Sequence, residues 1–314
     1  SSMDAGMTAD RASLAMAVAA GMLLDRGLGE PPDALHPVAW FGRTMGALER
    51  HLYADRRING MAHAVTGVAL GVTTGAVLRR LLGPAPATAV ATAVCVAGRM
   101  LDREALAIGE RLGAGDLDGA RLGLRSLVGR RPDDLDEGEI SRAVIESVAE
   151  NTVDAVTASA MWAVIGGAPA VFAHRAINTL DAMVGHHDDR YEHFGWASAR
   201  LDDAAAWIPA RLTTALVLAP MLRRDRERVL VRTVRRQAAA HPSPNGGLIE
   251  AACAHRLGIP LGGANRYGDR IEDRGTLGTG PAPGPADIAR AVALRDLAVL
   301  ELLYGTGIRV SECC

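Results

Sequence analysis

The sequence predicts an all-α fold, a polytopic membrane helical bundle with polar cytoplasmic helices and re-entrant or interrupted segments. Three observations carry this. Uncharged apolar runs approach the length that crosses a bilayer. Mean hydropathy is +0.11 although 22% of the residues are charged. Between the runs, polar stretches read as short amphipathic helices separated by glycine and aspartate breaks.

The elements follow in order. Residues 1–11 read as a disordered start or tag remnant, residues 12–291 as one membrane domain and residues 292–314 as a foreign-looking tail. Ala12–Leu24 is apolar but short for a full span, and with Asp25 and Arg26 after it, no cleavage signal is expected. The next stretch, DRGLGEPPDALHPVAWFGR, predicts a rigid turn-rich loop holding Asp25, Glu30 and His36. Met61–Leu78 and Leu81–Gly98 flank Arg79 and Arg80, the pattern of a transmembrane hairpin. Residues 99–154 are polar and helical, with Glu137 and Glu139 marking a negatively charged helix start. Ala155–Ala173 is apolar but contains Gly166-Gly167-Ala168-Pro169, which predicts an interruption. Ala204–Leu222 is apolar but interrupted by Pro209 and Arg211, and an arginine at that depth needs a partner or a water-filled cavity. Residues 223–236 are strongly basic and predict a cytoplasmic segment. HPSPNGG, residues 241–247, and LGGANRYGD, residues 261–269, read as turn-rich loops. The first precedes a helix start at Leu248, where an anion can bind.

Composition narrows the chemistry. A net charge of -2 argues against nucleic-acid binding. All 34 basic residues are arginine, so neither a Walker A phosphate loop nor a pyridoxal Schiff base can form, since both need lysine. Phosphate must then be held by arginine, backbone N–H groups or a metal. The four cysteines lack C-x-x-C spacing, so neither a zinc site nor a disulfide framework is indicated.

Two polar clusters bracket the apolar run Val156–Ala173. Glu146, Glu150 and Asp154 recur every four residues and share one helix face; Arg175, Asn178 and Asp181 recur every three. Like carboxylates on one stripe repel by a few tenths of a kcal/mol per pair, roughly, and a bound cation removes that penalty. Asp202, Asp203, Arg200 and Arg211 also adjoin apolar runs. Carboxylates beside arginines suit a metal–phosphate site, with helix capping and mutual pairing at the membrane surface as the alternative.

Six stretches, DRGLGEPPDALHPVAWFGR, ESVAENTVDA, HRAINTLDAMVG, YEHFGWASARLDDAAAWIPARL, HPSPNGGLIEAA and LGGANRYGD, occur in the order in which they stand in the CobD/CbiB family. The chain resembles that family, the adenosylcobinamide-phosphate synthases of cobalamin biosynthesis, from about Ser13 to Ala291. Gly29-Glu30-Pro31 stands where the family has Gly-Asp-Pro, which keeps a carboxylate.

The resemblance implies a ligase that uses ATP and Mg²⁺ to attach aminopropanol, or its phosphate, to a propionate of adenosylcobyric acid. Catalytic roles fall on Glu146, Glu150, Asp181 and Asp202, and metal binding on Glu146, Glu150 and Asp154. Asn151, Arg175, Asn178, Arg200, His241, Ser243, Asn245 and Asn265 are the expected substrate-binding residues. The implied location is the inner membrane, multi-pass, with the active site facing the cytoplasm. The lipid bilayer is the implied partner, together with other enzymes of the pathway. The alternative class is a non-enzymatic corrinoid carrier or scaffold. A third class, a two-metal membrane phosphotransferase, lacks its dense aspartate motif.

Two further expectations concern the tail and the topology. LRDLAVLELLYGTGIRVSE resembles the start of a tyrosine-recombinase catalytic domain, with Arg309 at its arginine position. The remaining recombinase motifs are missing, so the tail is read as a fusion or frameshift product, a lone helix ending near Tyr304. If Ala155–Ala173 and Ala204–Leu222 both crossed fully, a hydrocarbon core of about 30 Å would separate Glu146 from Asp181 and Asp202. They are therefore expected to dip in and return, or to pack within the bundle.

Overall fold

A computed structural model of the chain describes residues 2–29, 34, 36–128, 134–186, 188–222, 227–267 and 270–305. Glu30 and Arg309 lie outside the described residues, as does the side chain of Asn265. The fold is a helical membrane-type bundle, and among the described residues four stretches are long and apolar enough to cross a membrane: Arg57–Leu82, Pro84–Gly113, Glu137–Val184 and Trp196–Met221. The chain forms two compact units, one of residues 1–99, 154–206 and 303–314, the other of residues 100–153 and 207–302.

The first unit is built on α1 (Ser2–Leu28), α2 (Pro37–Leu52), α3 (Arg57–Leu82), α4 (Pro84–Cys95) and α8 (Ala158–Val184). α1 is helical from Ser2, in place of the unstructured start expected for residues 1–11. Its first ten residues include Ala and Met, which favour helix and let it propagate outward. Where the rigid loop was expected, Asp25 is buried and accepts the Arg99 N–H at 3.1 Å, while Arg99 Nη1 donates to the carbonyls of Arg26 and Gly27. His36 caps α2, its Nδ1 accepting from the Val38 N–H, and Pro37 fills the first helical position.

The expected hairpin is present as α3 and α4, but its turn is Gly83, at φ 83°, rather than the arginine pair, which completes α3. α3 packs on α8 through a file of glycines. A Cβ on Gly67 would come 2.7 Å from Leu180 Cδ1, and one on Gly71 2.7 Å from the Phe172 carbonyl. Small residues of this kind let helix backbones touch. α8 breaks where the glycine–proline quartet predicts, at Gly167 (φ 63°, ψ −155°), two residues before Pro169.

The second unit contains α5 (Gly98–Gly113, from Met100), α6 (Leu117–Leu124), α7 (Glu137–Asn151), α10 (Glu227–Ala238), α11 (Gly246–Leu257) and α12 (Pro285–Gly305, to Leu302). α7 starts with a full capping box. Asp136 Oδ1 accepts from the Glu139 N–H at 2.8 Å, and Glu139 Oε2 from the Asp136 N–H at 3.0 Å. LGGANRYGD, expected as a glycine-rich turn, instead opens an antiparallel hairpin of β1 (Leu261–Tyr267) and β2 (Arg270–Leu277), bulged between Gly262 and Ala264. The glycines supply the bulge: Gly262 and Gly263 sit at φ 76° and 84°, a region open to glycine.

α9 (Trp196–Leu218) runs unbroken through Pro209 and Arg211, so the interruption expected there is not found. The Thr213 hydroxyl donates to the Pro209 carbonyl at 2.8 Å. Arg211 has the partner its depth requires: Nη1 donates to Asn245 Oδ1 at 3.0 Å, and the guanidinium lies 4.1 Å from the Trp207 ring centre. α12 passes without a break through the boundary placed at residue 291. It buries Leu294, Arg295, Ala298 and Leu302, and ends at Gly305, next to the predicted Tyr304.

Candidate active site

α7 carries Glu146 and Glu150 one turn apart, as their spacing predicts. They do different things. Glu146 is buried, and its Oε1 accepts the Gly262 N–H at 2.8 Å; Arg142 Nε lies 3.8 Å away. It ties α7 to the bulge of β1. Glu150 faces α11 and β2, with Arg274 Nη1 3.6 Å from Oε1. Asp154 lies past the end of α7, in a π-helical turn, Thr152–Thr157, which winds more widely than an α-helix. Asn151 is turned back on its own helix, donating to the Ser147 carbonyl at 2.9 Å.

The loop ahead of α11 brings His241, Ser243 and Asn245 to the same place. Ser243 Oγ accepts from the N–H groups of Asn245 and Gly246, at 3.3 and 3.0 Å, and so caps α11. Gly246 has no side chain to crowd Glu150. One turn into α11, Glu250 points back. Its Oε1 is 3.3 Å from His241 Nε2 and 3.6 Å from Arg274 Nη1, and the Glu250 and His241 side chains are 0% and 1% exposed. One ligand atom from each of Glu150, His241 and Glu250 lies within 4.8 Å of the others. Burial, and then the Arg274 charge, lowers the His241 pKa against the opposing pull of Glu150, so the ring is neutral near pH 7. Two carboxylates, a neutral imidazole and a guanidinium therefore meet, with His241 and Glu250 buried and Glu150 reaching solvent, an arrangement that can hold a cation, take a proton and bind an anion.

At the start of α7 opens a cavity of about 760 Å³ lined by Glu139, Arg142, Gly262, Gly263, Pro283 and Gly284 among others. That volume suits a small-molecule site.

The first unit holds the other predicted residues. Arg175 Nη1 donates to Asn178 Oδ1 at 3.5 Å, and Asn178 Nδ2 to Asp202 Oδ1 at 3.4 Å. Asp181 acts electrostatically on Asp202. Arg175, Asn178, Asp181 and Asp202 thus form one polar group within that unit. Arg200 is exposed.

The family model described as "CobD/Cbib protein" matches residues 18–295. The chain belongs to the CobD/Cbib family. Relatives in this family include a protein of Mycobacterium tuberculosis named "Cobalamin biosynthesis protein CobD", 46% identical over 285 residues, covering 89% of this chain and 90% of the relative. One of the same name from Rhodobacter capsulatus is 40% identical over 305 residues, covering 92% and 95%. Another from Halalkalibacterium halodurans is 37% identical over 301 residues, covering 92% and 94%. No solved structure matches the chain.

In this CobD/Cbib chain, sequence reasoning missed Glu250 and Arg274. Glu250 stands alone in the apolar helix LIEAACA, a lone carboxylate whose position is itself a signal. Arg274 lies among the charged residues of the hairpin, where nothing in the spacing separates it from its neighbours.

Proposed function

We propose that this chain acts in cobalamin biosynthesis as an ATP-dependent amide ligase, joining aminopropanol or its phosphate to a propionate carboxylate of adenosylcobyric acid. The observation that carries this reading is the convergence of Glu150, His241, Glu250 and Arg274 in a chain of the CobD/Cbib family. The ligation needs three things: a holder for the magnesium nucleotide, a cation for phosphate and an acceptor for the amine proton. Mg²⁺ takes oxygen donors and arrives held largely by the nucleotide phosphates and water. Arg274 and Arg211 are the phosphate-binding cations of this unit, and the cavity beside Glu146 has the size to admit the nucleotide.

The chemistry balances in two steps. A propionate oxygen attacks the γ-phosphorus of ATP, forming an acyl phosphate and releasing ADP. The amine nitrogen then attacks the acyl carbon, the C–O bond to phosphate breaks, and phosphate leaves. The proton lost by nitrogen passes to the Glu150 carboxylate.

Purified protein incubated with adenosylcobyric acid, aminopropanol phosphate, ATP and Mg²⁺ tests the reading. Mass spectrometry should find the amide and one ADP per turnover. Glu150→Gln should lower turnover by on the order of a hundredfold or more. A carrier or scaffold would form no amide and would tolerate both Glu150→Gln and Asp181→Asn.

A further inference from the structure

The donor set of the cluster says more than its charge. Mg²⁺ takes oxygen ligands and keeps several waters, whereas imidazole suits the first-row transition metals. We propose that Glu150, His241 and Glu250 form a protein-held site for a single divalent transition metal of the Mn²⁺ or Zn²⁺ type, separate from the Mg²⁺ that accompanies the nucleotide. The proposal deepens the ligase reading and rests on it for the role of the metal, but not for its binding.

Two independent features of His241 point to a ligand. Its Nε2 is buried, makes no hydrogen bond and faces the two carboxylates. Its Nδ1 accepts from the Ser243 N–H at 3.0 Å and lies 3.2 Å from the Ser243 carbonyl oxygen. A metal on Nε2 would fix the ring proton on Nδ1, which would then donate to that carbonyl. A hydrogen bond from the far nitrogen to a backbone carbonyl is the usual way a ligating histidine is held in tautomer and orientation.

The surroundings agree. Three protein ligands leave coordination positions for water or substrate, as in catalytic rather than structural sites. Arg274, 3.6 Å from an oxygen of each carboxylate, offsets one of their two negative charges. A divalent ion would turn the remaining negative charge positive. Such a site attracts the phosphate of either substrate.

The test is metal content, read apart from catalysis. Full-length protein in detergent is stripped with chelator, dialysed against Mn²⁺, Zn²⁺ or Mg²⁺, and counted by elemental mass spectrometry. About one Mn²⁺ or Zn²⁺ should remain per chain, and much less Mg²⁺. His241→Ala and Glu250→Gln should each weaken retention at least about tenfold, since even outer-shell changes cost that much. His193→Ala, which removes an exposed histidine, should retain the ion. His241→Asn, with folding checked by circular dichroism, covers the case in which the alanine variant does not fold. Retention of no ion by the wild type overturns the proposal. So does equal retention by the wild type and a folded His241 variant. Ligation supported by Mg²⁺ alone, without metal retention, removes this inference and leaves the ligase reading. Metal retention without ligation does the reverse.

Discussion

Gly246 faces the Glu150 carboxylate so closely that a Cβ on the glycine would stand 3.2 Å from Oε1 and 3.3 Å from His241 Cε1. The backbone there is not in the left-handed region, so alanine fits the helix start. Gly246→Ala should therefore fold with near-normal stability while displacing Glu150 by a few tenths of an ångström. Misplacement of 1 Å can cost about a hundredfold, so turnover should fall by on the order of tenfold. Parallel activity and thermal-unfolding measurements check this. Loss of stability in step with activity would mean that the glycine serves packing alone.

Arg295 is 3% exposed and forms ion pairs with Asp102 and Asp296. Removing one partner of a buried pair leaves a charge without compensation, at a cost of about 3–5 kcal/mol. Arg295→Ala should lower the unfolding temperature markedly, and Arg295→Met with Asp102→Leu should recover much of the loss. Removal of residues from Leu294 onward should destabilise the second unit, because Leu294, Arg295, Ala298 and Leu302 are buried. A truncation at 294 that unfolds like the full chain would refute this.

The α3 glycine file predicts a graded series. Gly71→Ala should be tolerated poorly and Gly71→Leu worse, since the added carbon meets the Phe172 carbonyl. Overpacking of this kind costs about 1–3 kcal/mol. Gly113→Ala, with nothing within 4 Å of the new carbon, should be neutral or slightly stabilising. Denaturant titration in detergent separates the two.

Burial drives the Cys253 thiol up to about 12, and the nearby Glu250 carboxylate adds to the effect. The thiolate is the reactive form, so Cys253 should resist iodoacetamide at pH 8 in folded protein and react once denatured. Peptide mapping after a timed pulse checks this. Rapid alkylation of the native chain would show that α11 opens readily.

How much of the site could be read beforehand depended on sequence distance. Glu146 and Glu150 are one turn apart, so helical spacing placed both correctly on α7. At Asp154 the chain is in the π-helical turn that follows Asn151, which winds more widely than the periodic pattern assumes. His241, Ser243 and Asn245 stood out as polar residues in a turn-rich loop before a helix. Their meeting with Glu150 bridges about ninety residues of chain, a separation that no local period encodes. Glu250 and Arg274 entered only through that tertiary contact. The β-hairpin was read as a turn because its glycines mark the bulge and hide the strands on either side. The helical bundle itself was legible, since long uncharged runs have few other solutions.

The glycine file on α3 has a geometric corollary for the polar residues of α8. Where backbone touches backbone, a helix can neither slide nor roll without driving a side chain into the opposing main chain. α3 thus acts as a slot and α8 as the key cut to it, and the azimuth of Arg175 and Asn178 is set by the absence of side chains on the neighbouring helix. Orientation secured in this way costs no rotamer entropy on the α3 side. The bearing of the arginine is settled as the two rods meet.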